Sequence, residues 1–86
     1  MTSNAKDKAV TILYFAALRE QRGRDQENYR TRAADAAELY AELAATHGFD
    51  LPQNRLRAAI NHVFCPWNQP LREGDTVAFI PPIAGG

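Results

Sequence analysis

Apolar side chains crowd two short stretches, one near each end of the chain. In Val10-Thr11-Ile12-Leu13-Tyr14-Phe15, β-branched and aromatic residues follow one another, which predicts a strand. Successive strand residues point to opposite faces, so Val10, Ile12 and Tyr14 share one face and Thr11, Leu13 and Phe15 the other. Thr76-Val77-Ala78-Phe79-Ile80 predicts a second such strand, with Val77 and Phe79 on one face and Thr76, Ala78 and Ile80 on the other. Both strands carry large apolar groups on both faces. A sheet covered on one side only should not look like this. Either the domain has two covers or a partner supplies the second.

Between these strands the period lengthens. Ala16 to Gln21 favours a short helix, and Gly23 can end it in a left-handed conformation. Arg24 to Asn28 is polar and turn-like, and Glu27–Arg32 reads as a second strand, hairpin-paired with the first. Asp35 suits a helix cap, with Glu38 three residues on as in a capping box. Ala36, Leu39, Tyr40, Leu43, Ala44 and His47 then recur at three- and four-residue spacings, an apolar stripe on a helix of about three turns. His47 falls in the last turn, where a cation is mildly favoured, and Gly48 supplies the stop. Phe49 to Asn54 connects to a third strand, Leu56–Ile60. Asn61-His62 is a turn, Val63–Cys65 a short return strand ended by Pro66, and Pro70–Asp75 a tight turn before the last strand.

A hairpin, a helix crossing one face and a late strand returning to the sheet make an α+β fold of the β-grasp kind. The expected sheet is mixed and covered on one face by one main helix. Its two most apolar strands, the first and the last, should lie centrally and side by side. Residues 16–75 separate them, so parallel pairing through a crossover is allowed. The long helix should pack on Ile12, Tyr14, Val77 and Phe79. The domain then spans residues 9–80, behind a flexible leader 1–8 and ahead of an extended tail 81–86.

Composition narrows the function. The 86 residues suffice for a single domain. Ten basic and ten acidic residues cancel, which leaves no electrostatic case for nucleic acid or an anionic membrane. No apolar run approaches the ~20 residues that span a bilayer. Met1–Lys8 lacks a hydrophobic signal core, and the lone Cys65 builds no disulfide. These features point to the cytosol. His47, His62 and Cys65 show no metal-ligand spacing. The sequence places no Ser, Cys or Asp partner for His62 as a catalytic base. Cys65, beside apolar residues, reads as core filler rather than a persulfide carrier, and Trp67 as cover for a core edge.

The chemistry gathers at the end. Pro81 and Pro82 stop the last strand, Ile83 and Ala84 make a short apolar step, and Gly85-Gly86 follow. Glycine has no Cβ, so such a tail can enter a channel too narrow for other residues. The group it would offer is the α-carboxylate of Gly86. The plain alternative is a frayed, idle terminus. Leu13, Phe15 and Ile80, on the face away from the long helix, form the kind of apolar patch that marks an interface.

Three stretches carry a resemblance: Leu13-Tyr14-Phe15-Ala16-Ala17-Leu18-Arg19-Glu20, Ala58-Ala59-Ile60-Asn61, and Pro70-Leu71-Arg72-Glu73-Gly74-Asp75-Thr76-Val77-Ala78-Phe79-Ile80-Pro81-Pro82-Ile83-Ala84-Gly85-Gly86. Over residues 9–86 the chain resembles the MoaD-type sulfur carriers, small subunits of molybdopterin synthase within the ubiquitin-like β-grasp group. Residues 24–55 match only in pattern. Diglycine alone is shared with thiamine-pathway carriers and ubiquitin-like modifiers; the preceding Pro81-Pro82 points to the molybdenum branch. The resemblance implies a cycle. An E1-like, MoeB-type enzyme uses ATP to adenylate Gly86, and a sulfur donor converts the adenylate to a thiocarboxylate. The tail, Pro81, Pro82, Ile83, Ala84, Gly85 and Gly86, then enters a large, MoaE-type subunit and delivers sulfur to cyclic pyranopterin monophosphate. It further implies that Leu13, Phe15, Ile80 and, by family likeness, Phe64 dock that subunit, with two small and two large chains. The carrier itself would bind no cofactor or metal. Three alternatives stand beside this reading: a sulfur carrier for thiamine or another metabolite, a ubiquitin-like modifier of lysines, and a binding module with an inert tail.

Overall fold

The computed structural model describes residues 7–81. Five strands and two helices follow in the order β1 (Lys8–Tyr14), α1 (Ala16–Arg22), β2 (Gln26–Thr31), α2 (Ala36–His47), β3 (Arg57–Ile60), β4 (Val63–Cys65) and β5 (Thr76–Ile80), with a 3-10 turn at Gln53–Arg55. They form one sheet ordered β2-β1-β5-β3-β4. β1 and β5 pair in parallel at its centre, while β1–β2, β3–β4 and β3–β5 are antiparallel. This is the ubiquitin-like β-grasp. No helix among the described residues is long and apolar enough to cross a membrane.

The inner face follows from the two periods. Val10, Ile12, Tyr14, Val77 and Phe79 are buried, and so are Ala36, Leu39, Tyr40 and Leu43 along one side of α2. Asp35 caps α2 by accepting from the Glu38 amide at 2.9 Å. Glu38 reaches back to the amide of Ala34, also at 2.9 Å, one residue earlier than the simplest capping box. Tyr40 is the aromatic hub. Its ring lies 5.2 Å from Phe79, 6.1 Å from Trp67 and 6.2 Å from Phe49, and its hydroxyl donates to the Leu51 carbonyl at 2.6 Å. Trp67 stacks on Phe79 at 5.8 Å, so it covers a core edge as expected.

The boundaries shift in four places. β1 opens at Lys8, which pairs with Thr31 and donates its Nζ to the Ala33 carbonyl at 2.7 Å. The folded domain therefore takes in the last residue assigned to the leader 1–8. β1 closes at Tyr14. Phe15 keeps extended angles but serves as the N-terminal cap of α1, and Ala16 turns the chain with φ +51°. β2 occupies Gln26–Thr31 instead of Glu27–Arg32. β3 begins at Arg57, because Leu56 still closes the 3-10 turn through its amide.

One corner of the inner side is ionic, which the sequence did not announce. The Glu27 side chain, only 9% exposed, accepts from Arg22 at 2.7 and 3.1 Å and from the Tyr14 hydroxyl at 2.5 Å. Hydrogen bonds from Arg22, joined by that from Tyr14, hold its carboxyl at about 2 against the opposing effect of burial. Burial and the neighbouring carboxylate push the Tyr14 phenol up. His47 differs from the favoured last-turn cation of the sequence reading. Its Nε2 is buried without a hydrogen-bond partner, 3.6 Å from Glu27 Oε2. Burial, helped by the Arg22 charge, pulls its pKa below the ordinary 6.5, so the imidazole is neutral in the fold.

Both shifts have the same sign for stability. A group whose pKa is depressed by folding takes up its proton more readily in the unfolded chain, so acid unfolds it. For His47 the loss begins as pH falls through 6.5. For Glu27 it begins as pH falls through 4.5 and is complete only below the folded value of about 2. The thermal midpoint should therefore decline from pH 7 downwards in two stages. His47→Gln should flatten the upper stage. Glu27→Gln should flatten the lower one while costing about 1.5–3 kcal/mol at pH 7, because Arg22 loses its charged acceptor. Thermal melts across this pH range check all three outcomes.

Candidate docking face and tail root

The parallel pairing of β1 and β5 aligns Leu13 with Ala78 and Tyr14 with Phe79. Both strands therefore run out at the same edge of the sheet, and Phe15 and Ile80 emerge there together. On the outer face one row crosses four strands: Leu13 beside Ala78, Ala78 beside Ala59, Ala59 beside Phe64. The two alanines are small and lie low, 7% and 5% exposed. Larger residues rise on either side. The result is a depression of about 210 Å³ lined by Leu13, Phe15, Ala59, His62, Phe64, Ala78 and Ile80.

All four residues named from the sequence thus meet at one hollow. Phe15 is 43% exposed and Phe64 53% exposed, although each is a large aromatic. α2 packs on the opposite face and cannot cover them. The Arg57 guanidinium lies 4.0 Å from the centre of the Phe64 ring. Ala59, Ala78 and His62 were not anticipated as part of the site. For the alanines the signal was present in the alternation of each strand, but the antiparallel register that sets Ala59 beside Ala78 cannot be read from either segment alone.

The hairpin turn between β3 and β4 borders the hollow. Asn61 and His62 both adopt left-handed angles, φ +53° and +71°. This is the conformation two-residue hairpins need, and Asn-Gly is its preferred sequence. Asn61 has a reason to be there: its amide nitrogen Nδ2 donates to Asp75 at 3.0 Å, and its Oδ1 accepts from the Thr76 amide at 2.9 Å. These bonds tie the hairpin to the start of β5. His62 is exposed and carries the steric penalty of a side chain at positive φ.

Pro81, the first residue of the expected tail, is buried. The fold therefore holds the chain one residue past β5, at the first position of the expected tail 81–86. Pro82, Ile83, Ala84, Gly85 and Gly86 lie outside the described residues. Cys65 turns to the inner side of β4, with Sγ 3.7 Å from the Ala58 carbonyl. Burial pushes its thiol pKa up, which suits filler better than a nucleophile.

Residues 12–86 match the profile of the ThiS family. The chain belongs to the ThiS family. Within it, 80 residues are 32% identical to the molybdopterin synthase sulfur carrier subunit of Escherichia coli K12, covering 90% of this chain and 99% of that protein. A solved complex of subunits 1 and 2 of the molybdopterin-converting factor from Helicobacter pylori contains a chain 29% identical, with a TM-score of 0.62 over 91% of this chain and 99% of that one. The small archaeal modifier protein 1 of Methanosarcina acetivorans superposes with a TM-score of 0.75 over 94% of this chain and 99% of its own, at 16% identity. That last likeness is one of fold alone.

The strained turn yields a test. His62→Gly should raise stability by about 0.5–1 kcal/mol, because glycine adopts positive φ without a Cβ penalty. Guanidinium denaturation of both forms measures it.

Proposed function

We propose that this ThiS-family chain is the sulfur-carrier subunit of a molybdopterin synthase. The observation that carries the reading is the meeting of an apolar hollow and the tail root at one sheet edge, in a chain nearly a third identical to proteins of that name. In this reading Leu13, Phe15, Phe64 and Ile80 dock a large, MoaE-type subunit. The five residues after Pro81 reach into its active site. Fully extended they span about 17 Å, enough to cross a partner's wall. The chemistry itself rests on the α-carboxylate of Gly86. A carboxylate is a poor acyl donor because its leaving group is oxide. Adenylation by an E1-like, MoeB-type enzyme replaces oxide with AMP and consumes ATP. A sulfur donor then displaces AMP to leave a thiocarboxylate, which delivers sulfur to cyclic pyranopterin monophosphate. The carrier contributes shape and delivery, and it works in the cytoplasm in a complex of two small and two large chains.

Two experiments test this. Phe15→Ala should weaken binding to the large subunit by about 1–3 kcal/mol if it is a central anchor, as calorimetric titration would show. Adding one residue after Gly86 displaces the carboxylate by about 3.5 Å. In a reconstituted assay with activating enzyme, ATP, sulfide source, large subunit and pterin precursor, that variant should dock normally and form no product. Normal product from an extended chain, shown by mass to be uncleaved, would overturn the terminal-carboxylate mechanism.

A further inference from the structure

Arg57 opens β3 on the outer face, in register with Ile80 at the end of β5. Its guanidinium sits over Phe64, the most exposed aromatic of the hollow. A full charge therefore stands between two apolar residues of the docking face, where a leucine or valine would simply enlarge the patch. Arg57 is exposed. Among the described residues the ion pairs engage Arg22, Arg24, Arg30 and Arg32, and none engages Arg57.

A partner that packs on Phe64 must also cover the group lying on its ring. Removing a guanidinium from water without an acceptor is strongly unfavourable, and arginine does not escape by losing its proton. A guanidinium held over a ring face keeps its in-plane N–H donors available, in the fork that fits a carboxylate. The chain as a whole has no net charge to steer association, so electrostatic selectivity has to come from locally placed charges, and Arg57 is one placed at the rim of the hollow.

We infer that Arg57 is a specificity-determining contact of the docking face, and that the large subunit which seats Phe64 sets an Asp or Glu side chain against it. The ion pair is completed only in the complex. A partner lacking that carboxylate is rejected, because docking would strand the charge. This inference rests on the docking reading above, and the test separates the two.

The full-length chain is titrated against the large molybdopterin synthase subunit of the same organism, at low and high salt. Wild-type affinity should fall with salt. Arg57→Ala should bind on the order of tenfold to a hundredfold more weakly at low salt and lose most of the salt response. Arg57→Lys should keep the salt response and recover part of the affinity, and Arg57→Glu should be weaker than Arg57→Ala. If Arg57→Ala binds like wild type, or binds more weakly with the salt response intact, the ion pair is wrong; in the second case Arg57 only holds the ring. Phe64→Ala serves as the parallel control. If it loses affinity while Arg57→Ala does not, the docking reading stands and the inference falls. If neither loses affinity, the docking reading falls with it.

Discussion

Parallel pairing of the first and last strands is the constraint on which the molecule depends. Antiparallel neighbours would send the ends of β1 and β5 to opposite edges of the sheet. Parallel ones bring Phe15 and Ile80 to the same edge. A parallel pair cannot be closed by a tight turn, so a long crossover is obligatory. Residues between Tyr14 and Thr76 supply it, and they include everything else in the fold: the covering helix, the β2 edge and the β3–β4 hairpin. The docking hollow and the tail root are neighbours because the sheet centre is built this way.

The two faces of that sheet divide the work. The inner face is an aromatic cluster centred on Tyr40, closed by Trp67 against Phe79 and bounded at one corner by the Glu27 ion network. Tyr14 belongs to both, since its ring packs against Phe49 and its hydroxyl anchors on Glu27. That anchor fixes the strand end from which Phe15 projects. On the outer face the alanines matter for what they lack. Ala59 and Ala78 leave room at the centre of the row, while Leu13 and Phe64 stand at its ends. A larger pair at the centre would fill the hollow and flatten the surface.

Most of the fold was legible because its signals are local. β-branched runs gave β1 and β5, and a three-four stripe gave α2 with its Asp35 cap. The apolar character of both faces of β1 and β5 announced an uncovered side before any pairing was known. Leu13, Phe15 and Ile80 could be named from alternation; Phe64 came from family likeness, since an isolated three-residue strand shows no usable period. What stayed hidden depends on residues brought together from afar. Glu27 looked like one more polar residue of a weak strand, and only the approach of Arg22, Tyr14 and His47 makes it a buried anion. His47 was placed correctly on α2, yet its charge state is set by that same neighbourhood. Arg57 carries no signal of its own in the sequence; the β3–β4 pairing brings Phe64 beneath its guanidinium.

The place of β5 in the chain also bears on quality control. Val77 and Phe79 are wholly buried and sit between β1 and β3. A polypeptide cut short before Thr76 would lack the middle of its sheet. Two strand edges would then stand unpaired, and Ile12 and Tyr14 would face water, a state open to proteases and to aggregation. Pro81 follows β5 directly, so a chain that has folded has also been made as far as the root of its tail. Folding thereby vouches for the chain up to the root of its tail, and a carrier cut short before Thr76 would be degraded before it could occupy a partner unproductively.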